Sequence, residues 1–307
     1  MQKIEVLEFG IRIDNYLSNK LDISRSKVSK MIKDKCVLVN DKVVKNSYLL
    51  KENDIITISD YEEECMDVVG EDIPLDIVYE DDDVMVVNKP NGMVVHPAVG
   101  NNHGTLVNAL VFYSDKLSSV NGTFRPGIVH RIDAYTTGLL MIAKNDKAHN
   151  SLALQLSEKT TVRKYIALVW GVIKNDTGTI DAPIGRDIND RKKMAVTAIN
   201  SKDAVTHFKV LERYKNATLI ELKLETGRTH QIRVHMNYIG YPVVNDPVYG
   251  KRKLIDDSGQ CLHAKTIGFI HPTTNKYMEF DSELPDCFLK ILNQFKKEDW
   301  NNGKKTI

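Results

Sequence analysis

The sequence predicts an α+β protein in which a small N-terminal α+β domain precedes a larger domain built on a mixed, mainly antiparallel sheet. Short runs rich in β-branched residues recur beyond residue 75 and are separated by Gly, Asn, Asp or charged turns, as is typical of strands. Helical stretches interrupt these runs without a regular strand–helix alternation, which disfavours a doubly wound sheet. A strip of acidic residues separates this part of the chain from a helix-rich N-terminus.

Length and composition bound the possible classes of protein. The chain has 307 residues, of which 42% are hydrophobic and 27% charged, enough for one large and one small domain. No apolar run approaches the roughly 18 residues of a membrane span, and the first residues lack the apolar core of a signal peptide. The four cysteines show no CxxC pairing, which indicates a reducing compartment and no zinc site. We therefore expect a cytoplasmic protein without a membrane partner.

Charge is unevenly distributed, although the net charge is only +1. Residues 60–83 contain 12 acidic and no basic residues, whereas residues 11–59 and 84–307 are both net basic. This segregation permits an anionic partner on two surfaces. A solvated acidic linker between ordinary domains explains the same counts.

Residues 11–59 form the predicted N-terminal domain. Apolar residues at helical spacing predict two helices, with Ser24 in position to cap the second. The segment VLVNDKVV predicts a hairpin that turns at Asn40 and Asp41, and DIITIS predicts a closing strand. The second helix has a cationic outer face. This face could bind an anionic partner, but a helix whose charged face is only exposed to solvent would have the same composition.

The order of these elements resembles the S4-type RNA-binding domain along nearly all of residues 11–59. In that family the cationic helix lies against RNA phosphates, which supply affinity and register with little sequence information. The resemblance implies that the following side chains contact RNA: Arg25, Lys27, Lys30 and Lys33.

The remaining chain divides into an acidic linker at 60–74, the larger domain at 75–295 and a frayed tail at 296–307. The predicted strands are LDIVYE, DVMVVNKP, GIVHRI, GLLMIAK, YIALVWGVI, THFKVLERY and ATLIELKLE. The predicted helices are GTLVNALVFYSD, KAHNSLALQLSEK, THQIRVHMNYIG and CFLKILNQFKKE.

One carboxylate stands out in the segment GIVHRIDAYTTGLLMIAK, where Asp133 lies between two apolar runs. An ionised aspartate there is costly unless it is paired and hydrogen-bonded. Arg131 lies two residues before it, and Arg228 and Arg233 occur in TGRTHQIRV at a predicted strand-to-helix junction. A paired arginine favours the ionised form, which can act as a nucleophile. A buried salt bridge without a chemical role explains the same residues.

The sequence lacks the motifs of several other catalytic classes. HRID is similar to the HRD loop of protein kinases, but Ile132 separates the arginine from the aspartate, and neither a glycine-rich loop nor DFG is present. A P-loop is also absent. His230 and His235 are five residues apart with no HExxH pattern, so polar helix residues bonded to backbone or RNA are favoured over a metal site.

The segment around Asp133 resembles the HRLDxxTSGLLxxAK motif of the RluA/RluD-type pseudouridine synthases, and Asp133 falls on the catalytic aspartate of that family. Further motifs follow in the family's order over roughly residues 75–290: VVNKPNGMVVHP, RKYIALVWG, PIGRDINDRKKMAV, LETGRTHQIRVHMNYIGYPVVNDPVYG and CLHAKTIGFIHP. The chain departs from the motif at Ala134 and Tyr135, where the family has a basic residue and an aspartate, and it has threonine in place of the serine at Thr137.

The resemblance implies isomerisation of uridine to pseudouridine in RNA, and the S4-like N-terminus favours large-subunit ribosomal RNA as the substrate. The sequence gives no sign of an oligomer, and we expect a monomer. A transfer-RNA target stays open. The bond from ribose C1′ to uracil N1 breaks and C1′ rejoins to C5, so atoms and electrons balance without a cofactor or metal. Asp133 would attack C1′ or remove a sugar proton, Tyr165 would stack on uracil, and Arg233 or Arg228 would pair with Asp133.

The remaining residues that the resemblance implicates are expected to contact the substrate. Arg131 would insert where the base leaves the stack. The other expected contacts are His130, Asn88, Lys89, Thr137, Arg186, Arg191, Lys192 and Lys193. Two alternatives stay open: a glycosidase-like hydrolase, which usually needs a second carboxylate, and a non-catalytic RNA-binding protein with a relict pocket.

Overall fold

The computed structural model describes residues 2–6, 8–21, 23, 25–59, 61, 68–97, 101–122, 125–190, 192–250 and 252–303. The chain divides into two compact units, Met1–Cys65 and Met66–Ile307. The division falls inside the predicted linker at 60–74.

The N-terminal unit consists of two helices and a small antiparallel sheet. Its elements are β1 (Gln2–Glu5), α1 (Ile13–Leu21), α2 (Arg25–Lys33), β2 (Val37–Val39), β3 (Lys42–Val43) and β4 (Ile55–Ile58). The sheet order is β1-β4-β2-β3. The predicted helices, hairpin and closing strand are confirmed, and Asn40 and Asp41 have the positive φ values, 48° and 60°, that a two-residue hairpin turn requires. The predicted cap at Ser24 lies outside the described residues.

Strand β1 lies before the predicted start of this unit at residue 11. It pairs with β4 along its whole length, so the unit begins near the N-terminus of the chain. The sequence pattern missed it because only Ile4 of its four residues is buried, which leaves no apolar alternation to detect.

The larger unit combines a long sheet with four helices and a separate two-stranded hairpin in its described part. Its strands are β5 (Ile77–Glu80), β6 (Val84–Lys89), β7 (Thr137–Ala143), β8 (Val162–Trp170), β9 (Thr177–Asp181), β10 (Ile184–Arg186), β11 (Met194–Val196), β12 (Val205–Arg213), β13 (Ala217–Leu224), β14 (Leu262–Ile270) and β15 (Tyr277–Asp281). Its helices are α3 (Leu106–Tyr113), α4 (Asp146–Ser157), α5 (Gln231–Tyr238) and α6 (Asp286–Gly303).

The strand order of the long sheet is β5-β6-β7-β14-β8-β13-β12-β9, with β15 on β14. The pairs are antiparallel except β7 with β14, which run parallel through Thr137–Gly138 and His263–Ala264. The predicted mixed, mainly antiparallel sheet is therefore confirmed. Gly138 has a positive φ, and a Cβ there would meet the Ala264 carbonyl oxygen at 2.2 Å, so the strands approach this closely only because residue 138 has no side chain.

Both faces of the sheet are covered, as strand β8 illustrates. Tyr165, Ala167 and Val169 belong to one apolar core, whereas Ile166 and Leu168 pack into another core together with residues of α6. The alternation places odd and even positions of β8 on opposite faces. Every residue of β7 is buried, which explains its continuous apolar sequence.

Three predicted segments differ from the structure. GIVHRI is not a strand: an isolated bridge joins Ile128 to Ile142, and residues 129–132 line a cavity. Residues 68–74 are not wholly linker, since the Val69 carbonyl accepts from the Asn108 side chain in α3. Residues 296–303, expected to fray, continue helix α6, while 304–307 lie outside the described residues.

Candidate active site

A cavity of about 420 Å³ opens in the larger unit where the turn before β7, the start of β8 and the start of α5 meet. Apolar side chains, including Ile132, Leu224 and Ile232, form part of its wall. Its charged and polar lining includes Arg131, Asp133, Arg163, Tyr165, Arg228, His230 and Arg233. The predicted catalytic aspartate and tyrosine therefore share one cavity.

Asp133 is held by one arginine. Its Oδ2 accepts a hydrogen bond from Arg233 Nη1 at 2.9 Å, and its side chain remains 19% exposed. Arg233 is in turn bound by Asp246 through Nε at 2.7 Å and Nη2 at 2.8 Å. Burial alone would raise the pKa of Asp246, but hydrogen bonds and charge from Arg233 bring that pKa below its usual range. The guanidinium is thus fixed on one side and presents its remaining nitrogen to Asp133.

The turn that carries Asp133 is tied to the sheet by a buried lysine. Lys89 Nζ donates to the carbonyl oxygens of Pro90 and Ala134 at 2.8 and 2.7 Å. Burial lowers the pKa of Lys89 to about 7, against the opposing effect of the Asp133 charge. The residue lies beneath the turn and does not line the cavity.

His130 and Arg131 both precede the aspartate in the chain but have different surroundings. His130 Nε2 accepts a hydrogen bond from the Met141 backbone N–H at 3.0 Å, which requires a neutral ring. Burial lowers the pKa of His130 to about 3, so its role is to brace the turn against β7. Arg131 is exposed, with Nη1 3.4 Å from His96 Nε2.

Tyr165 reaches the cavity from β8 and is only 7% exposed. Burial raises the pKa of its phenol, an effect that the nearby charge of Arg163 opposes. Arg163 lies two residues earlier on the same face of β8 and lines the same cavity.

The alternative between two arginines is decided by the geometry. Arg228 lines the cavity, but its Nε donates to the Asp203 carbonyl oxygen at 2.9 Å. Arg233 is the arginine that contacts Asp133. Both come from the predicted strand-to-helix junction, which is confirmed between β13 and α5.

Asn88 and Thr137, like Lys89, were predicted to contact the substrate but do not line the cavity. Asn88 donates to the Asp76 carboxylate at 2.8 Å, and Thr137 Oγ1 bonds to His263 Nδ1 at 2.8 Å. Strand alternation explains both, since the neighbouring Lys89 and Thr136 are the ones that face the turn and the cavity.

The predicted basic loop forms the tip of the β10–β11 hairpin. Arg186 ends β10 and Lys192 is exposed, whereas Lys193 lies 3.8 Å from Asp190 in a loose ion pair. Arg191 lies outside the described residues. The loop end of the hairpin is linked to the site, because the N–H of Met194, the partner of Arg186, donates to the Tyr249 hydroxyl, which bonds to His230 Nδ1.

In the N-terminal unit, the predicted cationic residues lie on α2, as expected. Arg25 also has a structural partner, because its Nη2 lies 2.9 Å from the buried carboxylate of Asp14. Lys27, Lys30 and Lys33 complete the cationic set on this helix.

The two histidines considered as metal ligands have other partners. His235 bonds to Thr206 and to the Ala182 carbonyl oxygen, and His230 bonds to Tyr249. Among the residues that the structure describes, no group of three His, Cys, Asp or Glu side chains is placed to hold a metal ion.

The helices of the described residues were also compared with membrane-spanning helices. Within these residues, every helix is too short or too polar to cross a bilayer.

Three residues of the site were not predicted from the sequence. Asp246 anchors Arg233, Tyr249 holds His230, and Arg163 faces the cavity beside Tyr165. Strand alternation from Tyr165 could have indicated Arg163. A single acid within the apolar run YPVVNDPVYG could have indicated Asp246.

Comparison with known proteins gives the same picture over most of the chain. A family model described as RNA pseudouridylate synthase matches residues 83–238, and an S4 domain model matches residues 11–56. The structure of human RNA Pseudouridylate Synthase Domain Containing 1 is similar with a TM-score of 0.58 and 29% identity, covering 73% of this chain and 88% of that one.

Sequence relatives are more similar still. The uncharacterized RNA pseudouridine synthase YlyB of Bacillus subtilis (strain 168) is 55% identical over 93% of this chain and 94% of its own length. A ribosomal large subunit pseudouridine synthase D from Zymomonas mobilis is 44% identical over 90% of this chain and 91% of its own. The chain therefore belongs to the RNA pseudouridylate synthase family and is an RNA pseudouridine synthase.

Proposed function

We propose that this enzyme isomerises specific uridines of large-subunit ribosomal RNA, with Asp133 starting the reaction. The observation that carries the proposal is the Asp133 carboxylate, held by Arg233 and facing a cavity that also contains Tyr165. The ribosomal substrate is supported by relatives named ribosomal large subunit pseudouridine synthase D, 42–44% identical over at least 90% of this chain.

Asp133 is suited to act as an anion. Arg233 contributes a hydrogen bond and a positive charge, and its attachment to Asp246 prevents it from following Asp133 into other conformations. The other carboxylate oxygen, Oδ1, lies 3.8 Å from His230 Nε2 and can attack ribose C1′ or take a sugar proton. Either step breaks the bond from C1′ to N1. As C1′ then bonds to C5, the Asp133–C1′ ester breaks or the sugar regains its proton, and the C5 proton is lost as N1 gains one.

Tyr165 would bind the flipped base, and Arg131 would occupy the space that the base leaves in the RNA stack. The Tyr165 ring lies in the cavity wall, where it can stack on uracil, and its hydroxyl can assist proton removal from C5. Arg131 is exposed next to Asp133, so its guanidinium can fill the gap in the RNA stack.

Uracil must leave the stack before C1′ is accessible, which costs a few kcal/mol. Phosphate contacts from the β10–β11 hairpin and from α2 would offset that cost. Lys192 and Lys193 on the hairpin, and Lys30 and Lys33 on α2, are suited to these contacts because they lie outside the apolar cores.

We further propose that the enzyme acts as a monomer in the cytoplasm. A single chain contributes the cavity, the catalytic aspartate and its arginine, so the site needs no second copy. Light scattering coupled to gel filtration tests the monomer, and fractionation of cells tests the compartment.

The decisive experiment compares the wild-type enzyme with Asp133→Asn on ribosomal RNA. We expect the variant to bind RNA normally and to form no pseudouridine detectable by chemical mapping. Asp115→Asn, on an exposed residue away from the cavity, removes the same charge and should retain full activity. Full turnover by Asp133→Asn would disprove the assignment.

The same samples separate the two alternative functions. A hydrolase would release free uracil, which chromatography of the reaction mixture detects. A non-catalytic RNA-binding protein would bind RNA without changing any uridine.

A further inference from the structure

Arg163 is an unusual cation for its surroundings. It projects from β8 into the cavity and is only 7% exposed, although arginine is rarely buried unless it is paired. Its neighbours on the cavity wall include Tyr165, Gly227 and Arg228.

The hydrogen-bonding capacity of Arg163 is largely unused by the described part of the chain. Nη2 donates to the Glu225 carbonyl oxygen at 3.3 Å, whereas Nε is buried with no partner among the described residues. No carboxylate of the described residues forms an ion pair with it. A buried guanidinium in this state has donors and charge available for a ligand in the cavity.

Gly227 provides the space for this guanidinium. A Cβ at position 227 would lie 2.7 Å from Arg163 Nη1, closer than such contacts allow. The φ of Gly227 lies outside the left-handed region, so the backbone itself does not require glycine. A side chain at position 227 would therefore push the end of the Arg163 side chain away from its present position.

We propose that Arg163 binds the carbonyl edge of the flipped uracil and stabilises the uracil anion formed when the glycosidic bond breaks. The proposal rests on the proposed function, because it concerns the same cavity. When the C1′–N1 bond breaks, its electron pair goes to N1 and the negative charge spreads over the carbonyl oxygens O2 and O4. A guanidinium offers planar donors and a positive charge to these oxygens.

The position next to Tyr165 supports this assignment. If uracil stacks on the Tyr165 ring, its edge points along the wall on which Arg163 lies, two residues away on the same strand face. Stabilisation is greatest when the charge develops, so the arginine acts more on the transition state than on the bound uridine.

The test replaces Arg163 by methionine, which has a similar extended shape, and by lysine, which keeps the charge. Loss of a preorganised donor to a developing anion predicts a fall in kcat of roughly 10²-fold with little change in KM for Arg163→Met. Arg163→Lys should recover part of that loss. Lys164→Met removes the same charge from the opposite strand face and should turn over normally.

A substrate with a better leaving group makes the test specific to the anion. Fluorine at C5 stabilises the uracil anion, so RNA with 5-fluorouridine at the target should show a smaller defect for Arg163→Met, measured as single-turnover loss of 5-fluorouridine. Equal defects on both substrates, or wild-type rates for Arg163→Met, would refute the proposal.

Gly227→Ala provides a second, independent variant. Its methyl group would displace the guanidinium without changing any charge, so the rate should fall in the wild-type background and should not fall further in the Arg163→Met background. Additive losses would contradict the proposal. The melting temperature of Arg163→Met should stay equal or rise, since an unpaired buried charge is removed; a large decrease would assign Arg163 a structural role.

Throughout, Asp133→Asn reports on the proposed function separately. If that variant is inactive and wild type forms pseudouridine, the proposed function holds whatever the Arg163 variants do.

Discussion

Arg233 forms ion pairs with two carboxylates, Asp133 and Asp246, which have different roles. Asp246 is fully buried and also accepts the backbone N–H groups of Val248 and Tyr249, so its position is fixed. Asp133 uses only the outer nitrogen of Arg233 and keeps access to the cavity. Breaking such a buried pair typically costs about 3–5 kcal/mol. We interpret Asp246 as the residue that makes Arg233 a rigid partner for Asp133.

At Tyr165 the ring and the hydroxyl can be tested apart. Tyr165→Phe keeps the stacking surface but removes the hydroxyl, so RNA affinity should be unchanged while the rate of pseudouridine formation falls by roughly 10²-fold, as for loss of a general base. Single-turnover kinetics measure the rate, and Tyr113→Phe, whose hydroxyl bonds to Glu80 on the surface, is the control. An unchanged rate would mean that the hydroxyl has no chemical role.

The residues at the centre of the site could be predicted from the sequence more accurately than the residues around them. Asp133 and Tyr165 could be named because each lies in a recognisable motif. The choice between Arg228 and Arg233 could not be made, because Arg233 is 100 residues from Asp133 and only tertiary packing joins them. Asn88 and Thr137 were placed wrongly because the face of a strand, not its sequence position, decides what a residue contacts.

The β10–β11 hairpin is the element suited to recruit RNA near the site. Lys192→Gln with Lys193→Gln should weaken RNA binding at low salt and reduce the slope of log affinity against log salt by about one for each phosphate that is no longer neutralised. Binding titrations at several salt concentrations measure the slope.

Lys276→Gln with Lys290→Gln, at exposed positions elsewhere, removes the same charge and serves as the control. If the two double variants have equal affinity and slope, the hairpin does not contact phosphate.

Most of the strands predicted from the sequence have long apolar runs, although the half-exposed edge strand β5 was also predicted. The predicted strands that became β6, β7, β8 and β13 are mostly buried, and their apolar runs are long. Strands β9 and β15 were missed because their exposed positions leave one or no fully buried residue. Strand β14 was also missed, although it is mostly buried. Their pairing comes from neighbouring strands, which local sequence does not reveal.

At the scale of the whole molecule, the N-terminal unit should be separable from the chemistry. Removal of residues 1–65 follows the observed division and retains residues 68–74, which pack on α3. We expect weaker binding of full-length ribosomal RNA with an intact active site, because the cavity lies wholly in the larger unit.

Chemical mapping on full-length RNA and on a short RNA that contains the target separates these effects. The short RNA should be modified at a nearly normal rate. Equal modification of full-length RNA by the truncated and complete enzymes would remove the case for the N-terminal unit as an RNA-binding module.

Acid should destabilise the larger unit through its buried histidines. Burial lowers the pKa of His130 to about 3, and of His96 and His263 to about 4. Because these folded-state pKa values lie below the unfolded value of about 6.5, the unfolded chain binds more protons between them. Stability is therefore fully present above about pH 6.5 and falls as pH decreases, by roughly 1.4 kcal/mol per pH unit for each histidine.

Denaturant unfolding at pH 7.5 and pH 5 measures this loss. His263→Gln, which replaces a histidine that bridges Thr137 and Ser282, should show a smaller pH dependence than wild type. Equal stability of the wild-type protein at the two pH values would contradict the prediction.

Strand β14 has a consequence for how the protein is made. It lies between β7 and β8 in the sheet, yet it follows β8 in the chain by more than 90 residues. During synthesis on the ribosome, both neighbours emerge long before the strand that joins them, and their unpaired edges stay open to wrong partners. The sheet therefore cannot be completed until β14 has been synthesised. This makes the region that contains β14 a determinant of folding yield as well as of the final fold.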